Sequence, residues 1–225
     1  MQIKVNLKVF LFLIIFIITK QIKIYAILML FAFIHELGHV LMGLILGFKI
    51  ESISIIPTGF TVKFKAESKN YNTQIKKGNM LSVKKILIAI AGPLVNALIA
   101  TATLIYYNVT QNSETFYIPI DLVIYSNILI FIFNLIPIYP LDGGRILKEI
   151  VHIFKGIYQS YIVTNRASNI IMIILTIASS IAILIYKNIA ILLILIYLWA
   201  LTISENKKFN AKMKIWKKVN RVTSN

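Results

Sequence analysis

The chain has 225 residues, 58% of them hydrophobic, with 24 Lys and Arg against 8 Asp and Glu. Its mean hydropathy of +0.81 excludes a soluble domain of this size, which would lack the polar surface to cover its core. The absence of cysteine excludes disulfides and thiolate metal ligands. The net charge of +16, in so apolar a chain, fits an anionic membrane face better than nucleic acid.

Apolar runs predict six spans, at residues 5–19, 24–48, 86–107, 118–139, 168–186 and 189–203. The first begins with charge, as a signal peptide does. It has no small-residue cleavage site before Lys20, so a retained span is expected. The second contains His35-Glu36-Leu37-Gly38-His39. On a helix His35 and His39 share one face, so two imidazoles can hold one metal ion. Glu36 stands beside them, placed to take a proton from a water that the metal activates. Ionisable groups inside a lipid-spanning helix are costly, and this cluster therefore points to a functional site. Gly38, Gly43 and Gly47 recur on the same helix and suit close helix packing.

After the second span, residues 51–65 alternate on either side of Pro57-Thr58-Gly59, which predicts a β-hairpin. It is either a connector packed on the membrane face or an edge strand that pairs with an extended substrate. Residues 68–79 are polar and read as a mobile loop. The third span holds Ala91-Gly92-Pro93-Leu94-Val95-Asn96. The fourth runs into Asn134-Leu135-Ile136-Pro137-Ile138-Tyr139-Pro140-Leu141-Asp142-Gly143-Gly144-Arg145. There two prolines break the helix and two glycines allow close backbone approach. His152 reads as a polar-face residue of a short cytoplasmic helix and is given no role. The tail, residues 205–225, is basic with spaced apolar residues such as Phe209 and Trp216, and reads as an interfacial helix on the anionic inner leaflet.

With both termini cytoplasmic, 21 of the 24 basic residues fall inside, and only Lys20, Lys23 and Lys187 outside. The positive-inside rule selects this orientation over its inverse. The expected fold is an all-α polytopic membrane protein of about six transmembrane helices with a short membrane-associated β-hairpin. Residues 1–204 would form one six-span domain with its core at 24–148, followed by the basic cytoplasmic tail.

A catalytic zinc usually takes three protein ligands and a water, so two histidines leave one ligand to find. Glu36 is assigned as base, and Glu51, Glu67, Glu114, Glu149 and Glu205 lie in polar segments, with Asp121 near the outer end of its span. Asp142 remains. Non-helical backbone at membrane depth is tolerated where it is buried or lines a wet cavity, and a broken segment ending in a carboxylate suits a ligand delivered to a metal. Counting back from Phe48, His39 lies about 14 Å inside the inner boundary at 1.5 Å per residue. The segment before Asp142 must therefore be extended and sunk into the protein.

These three motifs together resemble the site-2 proteases, which are zinc intramembrane metalloproteases. The six-span layout and the wording of the Asp142 motif look most like the sporulation branch of that family. The resemblance covers the chain from about Phe31 to Lys148. It implies a zinc metalloendopeptidase that cleaves a membrane-associated protein near the cytoplasmic face. His35, His39 and Asp142 would hold one zinc ion, with Glu36 as general base and Asn134 near the substrate backbone. In the sporulation branch the implied substrate is the pro-sequence of a sigma factor, and inhibitory membrane partners hold the protease silent. Many such proteins carry a nucleotide-sensing CBS domain after the last span. Here about 22 residues follow it, too few for a domain, and no segment is long enough for a PDZ domain. Two other classes stand beside this reading: a membrane transporter, which would show paired broken helices, and a non-catalytic metal-binding membrane regulator, which would lack Glu36.

Overall fold

A computed structural model of the chain describes residues 2–5, 8–18, 20–56, 59–64, 80–111, 114–115, 118–186 and 189–223. The chain divides into two compact units, Met1–Gln74 with Val83–Leu135, and Ile75–Ser82 with Ile136–Asn225.

The first unit contains β1 (Gln2–Val5), α1 (Lys8–Ile18), α2 (Ile22–Ile45), β2 (Ile50–Ile56), β3 (Gly59–Phe64), α3 (Met80–Thr110, from Val83 onward), β4 (Glu114–Thr115), β5 (Ile118–Pro119) and α4 (Ile120–Leu135). The hairpin is present where alternation placed it. β2 pairs antiparallel with β3, with Ile53 opposite Val62 and Ser54 opposite Thr61. Its turn at 57–58 and the polar stretch 68–79 lie outside the described residues. The sheet has a third strand that residue order did not predict: β1 pairs parallel with β2, setting Val5, the first residue of the expected first span, opposite Ile55. A parallel pair needs a crossover, which α1 and α2 supply. The order β1-β2-β3 leaves β3 at an edge.

Ile27 and Phe31 of α2 pack with Val123 and Ile130 of α4 in a buried apolar cluster. The glycines of α2 have separate tasks. A Cβ on Gly38 would press on the Ala91 carbonyl and Val95 of α3, and one on Gly43 would overlap the Phe64 ring. Gly47 has nothing near it and instead takes φ +85°, the left-handed conformation that ends a helix cheaply only at glycine. Its N–H donates to the Leu44 carbonyl at 3.0 Å.

The second unit contains the start of α3, α5 (Asp142–Tyr186) and α6 (Ile189–Thr223). Gly156, at φ 81° and ψ 171°, breaks α5 into two helices, the first corresponding to the short cytoplasmic helix expected before the fifth span. The basic tail is not a separate helix, because α6 runs through it without interruption. Trp216, expected at the lipid boundary, packs on the Tyr158 ring of α5 with centroids 5.5 Å apart.

Among the described residues, α2, α3 and α5 are long and apolar enough to cross a membrane, where about 20 residues are needed. α4 is a shorter apolar helix of 16 residues, and α1 has 11. Large apolar side chains stand exposed along these helices, among them Leu98, Ile105, Ile177 and Leu184, as expected of surfaces that face lipid.

Candidate metal centre

α2 carries His35, Glu36 and His39 on its buried side. The helical repeat brings the two imidazoles together with Nε2 atoms 3.1 Å apart and rings nearly perpendicular. What decides their chemistry is the partner of each Nδ1. His39 Nδ1 lies 2.7 Å from the Ile88 carbonyl of α3. A carbonyl only accepts, so Nδ1 carries the proton and Nε2 presents its lone pair.

The same conclusion for His35 follows from a chain of three helices. Asn127 Nδ2 on α4 donates to the Val123 carbonyl at 2.8 Å, which turns Asn127 Oδ1 toward α3. Asn96 Nδ2 donates to that oxygen, also at 2.8 Å. Asn96 Oδ1 is thereby left to accept from His35 Nδ1, 2.5 Å away. His35 is therefore protonated on Nδ1 as well. Both asparagines are fully buried, so each amide depends on these partners.

Two Nε2 lone pairs thus face one another at 3.1 Å. With both protons on Nδ1, neither Nε2 can donate to the other. The arrangement fits a cation shared by both. Zinc–nitrogen bonds of about 2.0–2.1 Å are long enough for one ion to reach both atoms. The backbone makes room beside them: a Cβ on Gly92 of α3 would collide with the His39 ring and with His35 Nε2.

Glu36 is held from the hairpin. The Val62 N–H of β3 donates to Glu36 Oε1 at 2.5 Å. Glu36 Oε2 lies 4.0 Å from His39 Nε2. One carboxylate oxygen is anchored by the sheet edge while the other is on the imidazole side.

Asp142, in the second unit, is buried and opens α5, where the partial positive charge of a helix N-terminus favours a carboxylate. α4 has already ended at Leu135, and the segment between contains a cis Tyr139-Pro140 bond. Ile138 is buried, and the Tyr139 N–H donates to Ser168 Oγ at 2.9 Å. A Cβ on Gly144 would strike the Ile138 carbonyl and Tyr139 nitrogen, so of the two glycines this one permits the segment to fold back on the first turn. Arg145 lies 3.4 Å from Asp142 Oδ1. Asn134 donates from Nδ2 to the Ile130 carbonyl of its own helix at 3.0 Å.

The sequence matches peptidase family M50 over residues 23–179, well over half its length. This chain belongs to peptidase family M50. Two curated relatives are a stage IV sporulation protein FB of Bacillus subtilis, 30% identical over 131 residues, and a zinc metalloprotease of Methanocaldococcus jannaschii, 34% identical over 140 residues. Those alignments take in 58% and 61% of this chain but 41% and 36% of the relatives, so this chain spans about two fifths of their length. The fold is similar to that of the site-2 protease of M. jannaschii, with a TM-score of 0.67 at 25% identity, covering 90% of this chain and 89% of that one.

Within this M50 chain, sequence reasoning placed His35, Glu36 and His39 together, and they are together. It missed the residues that orient them. Gly92 and Asn96 lie four apart and so share a face of α3, and a buried amide in an apolar helix demands a partner. That signal was available. The Ile88 carbonyl and Val62 N–H are backbone groups, which leave no trace in residue type. His152, given no role, lies 3.1 Å from Ser82 and 3.4 Å from Glu149.

Proposed function

We propose that this chain is a zinc-dependent endopeptidase of the site-2 protease type that hydrolyses a peptide bond of a membrane-associated protein near the cytoplasmic face. The observation that carries the reading is the opposed pair of Nε2 lone pairs, each fixed by a hydrogen bond on the far side of its ring. Asp142 is assigned as third ligand. Two imidazoles and one carboxylate, all three buried, are the donor types a catalytic zinc takes, leaving a fourth position for water or substrate. The zinc metalloprotease relative supports the choice of metal.

Bound zinc supplies Lewis acidity and an acidified water at neutral pH. The protein's part is to hold and move protons around it. Asn96 and the Ile88 carbonyl keep His35 and His39 in the ligating tautomer. Glu36, with Oε1 fixed by Val62, takes the proton of the attacking water on Oε2 and returns it to the leaving amine nitrogen. A helical substrate hides its carbonyls and must first unwind. The free side of β3 offers an extended segment replacement backbone partners next to Glu36. Asn134 is assigned a contact to that substrate backbone.

The substrate assignment is a sporulation sigma-factor precursor losing its pro-sequence, with inhibitory membrane partners as regulators. Its support is the 30% identity to the B. subtilis sporulation protein. The distribution of basic residues supports a multi-pass protein with cytoplasmic termini. Co-expression with such a precursor, followed by a blot for the shortened product, tests the reading. Wild type is expected to cleave. Glu36→Gln should retain zinc without cleaving, and Asp142→Ala should lose both. Undiminished cleavage by Glu36→Gln rejects the mechanism, and full zinc affinity in Asp142→Ala rejects the third ligand.

A further inference from the structure

The second unit contains a cavity of about 50 Å³ between α5 and α6 that the proteolytic reading does not use. Roughly 10–15 Å³ suffices for one water, so this space admits a group of several heavy atoms. Lys148, Lys208 and Lys212 line it against a single carboxylate, Glu205. Glu205 is taken up by Lys208 at 2.6 Å. Lys148 and Lys212 approach the Tyr161 ring at 4.4 and 4.6 Å, and Lys212 donates to its hydroxyl at 3.1 Å.

Two hydroxyls in the lining have no partner. Thr164 and Thr202 are 3% and 2% exposed, and the Oγ1 of each is unbonded. Thr164 contrasts with four other hydroxyl residues of α5. Ser160, Ser168, Thr176 and Ser180 each donate to a carbonyl of their own helix at 2.7–2.9 Å. A buried hydroxyl left without a bond costs free energy, and both threonines are among the residues around the lysine-rich cavity. The height of the site is also informative. The apolar run of α5 begins at Ser168 and that of α6 ends at Ile203, so the cavity lies where apolar surface gives way to charge.

We propose that this cavity binds a phosphoryl oxyanion, with Lys148 and Lys212 supplying charge and Thr164 and Thr202 donating hydrogen bonds. Charge-assisted bonds of this kind are the strong ones. The headgroup of an anionic phospholipid in the inner leaflet and free phosphate present the same chemistry. The lipid's occupancy would tie α5 to α6 where both leave the bilayer.

The test uses the full-length protein in neutral detergent. Retention of phosphatidylglycerol against phosphatidylcholine is read by native mass spectrometry, and inorganic phosphate is titrated by calorimetry. Selective retention of phosphatidylglycerol, displaced by phosphate, supports the site with lipid as its source. Phosphate binding without lipid retention supports it with a soluble source. The double variant Lys148→Gln, Lys212→Gln should weaken either by about tenfold or more. Thr164→Val separates a binding role from a structural one. Removing an unpaired hydroxyl should leave the melting temperature of the lipid-free protein unchanged or raised, while ligand affinity falls about fivefold or more. Thr202→Val repeats that test should the first variant fold poorly. Binding of neither probe, or equal binding by wild type and all three variants, overturns the proposal.

Discussion

Asn96→Leu separates the orientation of the metal ligands from their presence. Leucine keeps the volume of the side chain and removes both of its hydrogen bonds. One loss is at His35 Nδ1, which donates to Asn96 Oδ1 at 2.5 Å, and the other at Asn127 Oδ1, which accepts from Asn96 Nδ2 at 2.8 Å. A buried polar group left unpaired costs about 1–3 kcal/mol. At Asn127 that cost is the same with and without metal, so it lowers stability and leaves affinity alone. At His35 it is different. Without metal the imidazole can shift its proton to Nε2 and relax, whereas ligation fixes the proton on Nδ1 with nothing to receive it. The penalty therefore falls on the metal complex, and about 1–3 kcal/mol corresponds to roughly 5- to 150-fold in affinity, in line with the 10–100-fold typical of groups behind a metal ligand. The assay is a zinc competition titration of purified protein against a chelator of known affinity. Asn96→Asp keeps an acceptor for Nδ1 and is expected to remain within about tenfold of wild type. Zinc affinity in Asn96→Leu equal to wild type would refute the tautomer argument, and with it the reason for reading the two Nε2 atoms as ligands.

Three further outcomes are expected. Gly92→Ala drives a methyl group into both imidazoles and should reduce proteolysis by about 100-fold or more while circular dichroism stays helical; near-normal turnover would mean that the rings have room to move. Val62→Pro removes the N–H held by Glu36 at a sheet edge, where proline is tolerated. It should lower kcat by about tenfold with zinc affinity intact, and loss of zinc instead would show that the hairpin supports the ligands. Ser168→Ala deprives the Tyr139 N–H of its acceptor, and the expected cost, in chemical denaturation, is about 0.5–1.5 kcal/mol; an unchanged midpoint would mean that the segment before Asp142 is held by other contacts.

Much of the site was legible in residue order because an α-helix has a fixed period. Four residues make just over one turn, so His35 and His39 had to share a face of any helix that contained them, with Glu36 adjacent. Alternation gave β2 and β3 for the same reason, as did the two prolines for the end of α4 short of Asp142. The chain's composition required a membrane whatever its tertiary contacts. Where the reading fell short, the missing information was not local. β1, which lies ahead of the first expected span except for Val5, was not foreseen because four residues carry little pattern, and only pairing with β2 makes them a strand. The tail was separated from α6 because charge replaces apolar residues there, although helical backbone continues through both.

The tertiary structure alone decided which nitrogen of each histidine faces inward. That choice depends on an amide 61 residues from His35 and a carbonyl 49 residues from His39. Periodicity sets the direction in which a side chain leaves its own helix, but not the register in which a second helix packs against it. The sequence supplied two imidazoles on one face. The crossing of α2 with α3 and α4 turned them into a pair of lone pairs aimed at a common point, because a proton goes to whichever nitrogen has an acceptor beside it.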